Sequence, residues 1–111
     1  MPECLICFNL IPELEFELID WLLSRPDVDG FTTAPCFGHG LQHRLQNVAE
    51  HVSGKARRVQ IQVKLEDDLR SPLLAALAVE FAGADVLYWV LPVLYSGDLN
   101  GDIINDAGIA G

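Results

Sequence analysis

The chain has 111 residues, half of them hydrophobic, with 7 basic side chains against 16 acidic ones and a formal net charge of −9. That length is one domain, and folding it removes roughly two-thirds of the unfolded chain's surface, enough for an apolar core without disulfides or a structural metal. The composition excludes wholesale disorder, and the acidic balance excludes a phosphate-backbone partner, which takes clustered Lys and Arg. The longest nearly uncharged stretch, residues 86–96, is about half of what crosses a bilayer, and the start of the chain carries no basic segment of the kind that opens a secretory signal, so a cytoplasmic protein is expected. Three thiols, Cys4, Cys7 and Cys36, are an odd number that suits a reducing compartment better than a disulfide framework.

In chain order, Cys4 to Leu10 is a short apolar run closed by Pro12 and reads as a buried strand. The Cys4-Leu5-Ile6-Cys7 spacing matches a redox or zinc pair, but inside such a strand the two thiols serve as small hydrophobes of the core. From Glu13 to Ser24, Leu14, Leu18 and Leu22 with Ile19 and Leu23 recur at three- and four-residue steps, and Glu13, Glu15 and Glu17 place negative charge in the first turn of a helix. Arg25-Pro26 ends it. Asp29-Gly30 turns into a second strand, Phe31 to Phe37, ending at Gly38-His39-Gly40. Val59, Ile61, Val63 and Leu65 alternate with Arg58, Gln60, Gln62 and Lys64, the pattern of a third strand buried on one face. Glu66-Asp67-Asp68 offers a side-chain cap to a second helix whose stripe is Leu69, Leu73, Leu74, Leu77 and Phe81. Val86 to Tyr95 makes the fourth strand, in which Tyr88 and Trp89 point to opposite faces, one under the helices and one at a subunit contact. Residues 97–111, with three Asp, four Gly and two Asn, read as an acidic flexible tail outside the folded domain of residues 1–96.

The order strand, helix, strand, strand, helix, strand predicts an α+β, ferredoxin-like β-α-β-β-α-β fold with a four-stranded antiparallel sheet and both helices on one face. Strands one and four carry apolar residues on both sides, so the other face of the sheet calls for self-association.

Charge singles out the connection between the middle strands. Residues 39–58 hold all three histidines, four of the seven basic residues and one acid, Glu50, which makes this window +3 against −12 for the remainder. A connection of this length, taken as a loop over residues 38–57, is usually functional or disordered. At its entrance Cys36, His39 and His43 offer a thiolate and two imidazoles, a ligand set suited to Zn²⁺ or copper, with His51 as a possible fourth donor and glycines that let the backbone bend. Were residues 41–51 a helix, His43 and His51 would lie two turns apart, too far to chelate one ion in cis. The bland alternative makes these residues solvated loop positions and Cys36 the inward member of a strand end. Arg57 and Arg58, with Lys55 and the amides of Gly38 and Gly40, are instead an anion or nucleotide site, or else simply a charged loop exit. An enzyme with Cys36 as nucleophile and His39 or His43 as base lacks a third, orienting group, so no catalytic residue is expected.

These blocks, Ile11-Pro12 before an acidic amphipathic helix, Val28-Asp29-Gly30-Phe31-Thr32-Thr33, Phe37-Gly38-His39-Gly40 and Arg58-Val59-Gln60-Ile61-Gln62-Val63, resemble the PII signalling superfamily over residues 4–95. More narrowly, Asp20-Trp21-Leu22-Leu23, Gly30-Phe31-Thr32, Gly38-His39-Gly40 and Tyr88-Trp89-Val90-Leu91-Pro92-Val93 resemble an uncharacterised PII-like family encoded beside heavy-metal efflux systems, distantly similar to CutA-type proteins. The resemblance implies a regulatory or accessory trimer without catalytic residues, its sheets lining the centre and its long loop, the T-loop of PII proteins, projecting near the clefts between subunits. It implies two ligand readings: a transition-metal ion, with a metal-efflux or regulatory protein as partner, or an adenine nucleotide held by the glycine-containing loop base. The chain departs from the PII pattern in three places. His39-Gly40 stands where an arginine-glutamine pair is expected, no lysine follows the second helix before strand four, and no tyrosine lies between residues 38 and 57.

Overall fold

In the computed structural model, residues 2–40 and 55–101 are described. Four strands, β1 (Glu3–Leu10), β2 (Phe31–His39), β3 (Lys55–Glu66) and β4 (Val86–Val93), and two helices, α1 (Glu15–Leu23) and α2 (Arg70–Glu80), follow one another as β1-α1-β2-β3-α2-β4. A single turn of 3-10 helix precedes each α-helix, at Pro12–Leu14 and Asp67–Leu69. Proline at the start of the first turn lacks only an N–H that would have no helical partner there, and Glu15 and Glu17 face the positive end of α1. At the far end of α1 the Ser24 hydroxyl donates to the Trp21 carbonyl at 2.6 Å, where Arg25-Pro26 stops the helix. The side-chain cap expected from Glu66-Asp67-Asp68 does not form; Asp67 instead pairs with Arg70 one turn on, at 3.5 Å.

The sheet is antiparallel in the order β2-β3-β1-β4, the ferredoxin-like arrangement. Its register assigns each residue to a face. Cys4, Ile6, Phe8 and Leu10 of β1 and Val59, Ile61, Val63 and Leu65 of β3 form one buried cluster with Leu18 and Leu22 of α1 and Leu73 and Leu77 of α2, so both helices cover this side. The opposite face carries Leu5, Cys7 and Asn9 of β1, Gln60, Gln62 and Lys64 of β3, and Leu87, Trp89, Leu91 and Val93 of β4. Trp89 and Leu91 remain 42% and 48% exposed there. Both edge strands carry a proline, Pro35 in β2 and Pro92 in β4, where a missing ladder donor costs least.

Cys4 and Cys7 are both buried, but the three-residue step puts Cys4 under the helices and Cys7 on the opposite face. Alternation likewise separates Tyr88 from Trp89. Tyr88 falls on the helix side beside Phe8, yet it is more than half exposed because β4 is an edge, so it packs less deeply than the sequence predicts. It borders a shallow apolar recess of about 230 Å³ with Phe8, Leu77, Phe81 and Val86.

The middle strands run further than their hydrophobic pattern predicts. β2 continues to His39 and β3 begins at Lys55, so Gly38, His39, Lys55, Ala56 and Arg57 belong to a paired ladder rather than to the loop expected over 38–57. β1 ends at Leu10 opposite Val59. Residues 36–39 and 55–58 therefore extend past it as a two-stranded arm. Gly40, at φ +73°, takes the chain out of β2 in the left-handed region that glycine adopts without a Cβ penalty. His43, His51, a helix at 41–51 and most of the tail fall outside the described residues.

Candidate functional site: the base of the arm

The arm sorts the sequence-predicted ligands onto two faces. Direct partners in the antiparallel ladder share a face, so Cys36 lies with Arg58 and Gly38 with Ala56 on the side away from the helices, while Phe37 lies with Arg57 and His39 with Lys55 on the other. Cys36 and His39, expected to share a metal, thus project from opposite sides of one extended strand. The spacing that looks right on a loop is wrong on a strand, because side chains three residues apart there point apart. Among the described residues no group of three or more His, Cys, Asp or Glu side chains comes together in a way that would hold an ion.

Arg58, expected to be an anion ligand, is spent internally. Its side chain is fully buried, and all three guanidinium nitrogens donate: Nε to Asn9 Oδ1 at 2.6 Å, Nη2 to the Asn9 carbonyl at 3.0 Å and Nη1 to Asp85 Oδ2 at 3.2 Å. The Asn9 amide nitrogen in turn lies 3.8 Å from Cys36 Sγ. Arg58 does lie on the polar side of β3, as alternation requires, but at the end of β1 that side is closed by Asn9 and Asp85. A guanidinium satisfied in this way is a structural charge pair.

The other face has the opposite character. The Lys55 ammonium lies 4.4 Å from the centre of the Phe37 ring, which is 55% exposed. Arg57 is the cross-strand partner of Phe37 and His39 that of Lys55, so three nitrogen-bearing side chains share one ladder face with an open aromatic ring in an otherwise acidic chain. A planar anionic group would find here a ring to stack on and cations to neutralise it. Gly38 is paired with Ala56 within the ladder, and Gly40 follows His39 at the strand end, where the backbone leaves it.

Sequence reasoning missed Asn9 and Asp85. The signal for Asn9 was present, as the only polar side chain in the apolar run Cys4–Leu10; Asp85, between the second helix and the fourth strand, carried no such signal. The thiols of the Cys4/Cys7 pair are poor nucleophiles: burial above all raises both pKa values, with the Asp67 carboxylate adding to the rise at Cys4 and a hydrogen bond with Trp89 partly opposing it at Cys7. No helix among the described residues is long and apolar enough to cross a membrane.

Comparison with known proteins gives three kinds of finding. The sequence profile of a family described as "Protein of unknown function (DUF3240)" matches residues 3–100. No curated protein matches. Several solved structures share the fold. A DUF3240 family protein from Shewanella baltica is 18% identical at a TM-score of 0.72, the alignment covering 87% of this chain and 96% of that one. CPII, a nitrogen regulatory PII-like protein from Thiomonas intermedia solved with ADP, AMP and bicarbonate, is 19% identical at 0.65, covering 89% and 98%. A putative PII-like signalling protein from Thermus thermophilus is 19% identical at 0.61, covering 84% and 88%. The ferredoxin-like, PII-like fold expected from the sequence is therefore shown.

Proposed function

The chain belongs to the DUF3240 family, and from that premise and the geometry we propose that it is a non-enzymatic, PII-like regulatory protein that binds a nucleotide or small anion at the base of the arm. The observation that carries this reading is the face formed by Phe37, His39, Lys55 and Arg57, where cationic and aromatic groups gather on a chain of net charge −9. The PII-like relative solved with ADP, AMP and bicarbonate supports the ligand class by analogy of fold. Gly40 supplies a main-chain donor, and Arg57 replaces Arg58 as the arginine that faces the ligand. The connector of residues 81–85 contains no basic residue, so the cations of this reading are those of the arm. This differs from binding in the PII manner, which uses a lysine after the second helix.

The reading also takes the open sheet face, with Trp89 and Leu91, as the contact that assembles a homotrimer, and a regulatory protein or metal exporter as the partner the assembly addresses. Metal sensing has less behind it, since Cys36 and His39 project from opposite faces and no other described group gathers ligands. Thermal unfolding in the presence of ADP, AMP, inorganic phosphate, bicarbonate and Zn²⁺, each in turn, separates the two. A rise in Tm with an adenine nucleotide or small anion that Arg57→Ala and Lys55→Ala abolish is the expected result. A rise with Zn²⁺ alone would reverse the order of the two readings, and no rise with any anion would remove the first.

A further inference from the structure

Arg58 is the only wholly buried charged side chain among the described residues, and its bonds join three separate segments: the arm, the end of β1 and the connector before β4. The ladder does not make these connections. β1 stops at Leu10, so no ladder pairing joins residues 55–58 of β3 to β1. The connector closes through a turn in which the Ala84 N–H donates to the Phe81 carbonyl at 3.0 Å and Gly83 adopts φ +81°. We infer that Arg58 is a coupling strut, which makes the base of the arm and the 81–85 connector open and close as one unit.

The reason is electrostatic. Asp85 is 23% exposed and hydrates readily if the connector moves away, but the Arg58 side chain is fully buried and has no water to turn to. A lost carboxylate leaves a buried, uncompensated cation, which costs several times more than a surface pair is worth. The arm must loosen to hydrate it. The same accounting runs in reverse, since a coupling free energy is shared by both ends: an arm displaced by a ligand or partner withdraws the guanidinium from Asp85 and frees the connector, together with the apolar recess it borders. Asn9 fixes the pivot, holding Nε with its side chain and Nη2 with its carbonyl.

The inference is independent of the ligand reading and is tested without ligand, by native-state hydrogen exchange on the full chain, wild type against Asp85→Asn. The expected result is exchange at least tenfold faster at residues 84–87 and equally at 36–39 and 55–58, across the strut, while residues 31–33 and 61–63 keep their wild-type rates. Acceleration confined to 84–87 would overturn the coupling. Should Asp85→Asn fail to fold, the pair Arg58→Met with Asp85→Asn removes both charges and leaves no buried cation. Segments that now open at different rates, with the arm faster than in wild type, support the strut; an arm exchanging at its wild-type rate refutes it.

Discussion

The two faces of the sheet are built by opposite rules. Under the helices, twelve buried apolar residues from four elements make one continuous cluster, in which any hydrophobe of suitable volume serves. On the other face, Trp89 and Leu91 of β4 stand open to solvent beside the buried Cys7 of β1, and the face gives way, toward the arm, to a polar chain running from Cys36 through Asn9 and Arg58 to Asp85. The first face makes the fold. The second is where specific geometry is fixed, because a guanidinium needs particular partners in particular places whereas a leucine needs only volume. The exposed strip of Trp89 and Leu91 belongs to the second face, whereas the Phe37, His39, Lys55 and Arg57 patch lies on the helix side of the arm, beyond the end of β1.

The sharpest contrast comes from deletion on each side. Phe8→Ala, at the centre of the helix-side cluster, is expected to cost about 3–5 kcal/mol in urea unfolding, through lost burial and the cavity left behind. Arg58→Ala is expected to cost less, about 2–3 kcal/mol, since Asp85 can turn to solvent once its partner is gone. A larger loss at Arg58 than at Phe8 would mean that the polar chain, not the core, carries the fold.

Cys4 and Cys7 probe burial on both faces at once. Their folded-state pKa values lie above the ordinary 9.0, so the folded protein keeps protons that unfolded thiols release. Their contribution is complete below about pH 9 and is lost as pH climbs through the raised folded values, at up to about 1.4 kcal/mol per pH unit for each thiol. Unfolding of Cys4→Ala/Cys7→Ala from pH 8 to 10 should show a shallower decline than wild type; equal slopes would place the thiols in contact with water. The smallest effect on subunit stability is expected at the open strip. Leu91→Asp, at a half-exposed edge-strand leucine, should change unfolding of the subunit by about 1 kcal/mol, while sedimentation shows a trimer reduced to monomers. A wild-type chain that sediments as a monomer would leave the strip without its proposed role.

How much of this was legible in the sequence follows the same division. The hydrophobic pattern found every strand and helix: burial under the helices imposes a period of two on Val59 to Leu65 and a three-four step on Leu14 to Leu23, and β1 and β4 stand out as short apolar runs. It also placed Cys4 and Cys7 inside. It stopped β2 at Phe37 and began β3 at Arg58, because the arm has no helix over it and so no apolar alternation to mark it. That error carried into the site. On a loop, Cys36 and His39 are neighbours that glycines bend together; on a strand they face apart. Arg58 looked like a surface cation because alternation gives a side chain's face but not what closes that face, and its partners lie 49 and 27 residues away in sequence. The aromatic and cationic grouping on the arm needed the ladder register before Phe37 could be matched with Arg57 and His39 with Lys55.

Isothermal titration of the purified protein with ADP, alongside Arg57→Ala and Lys55→Ala, puts the ligand reading to its most direct test. Saturable binding to the wild type, weakened at least tenfold by each substitution while Cys36→Ser binds unchanged, is the expected result. Heats that never saturate, or binding that both substitutions leave intact, would contradict it.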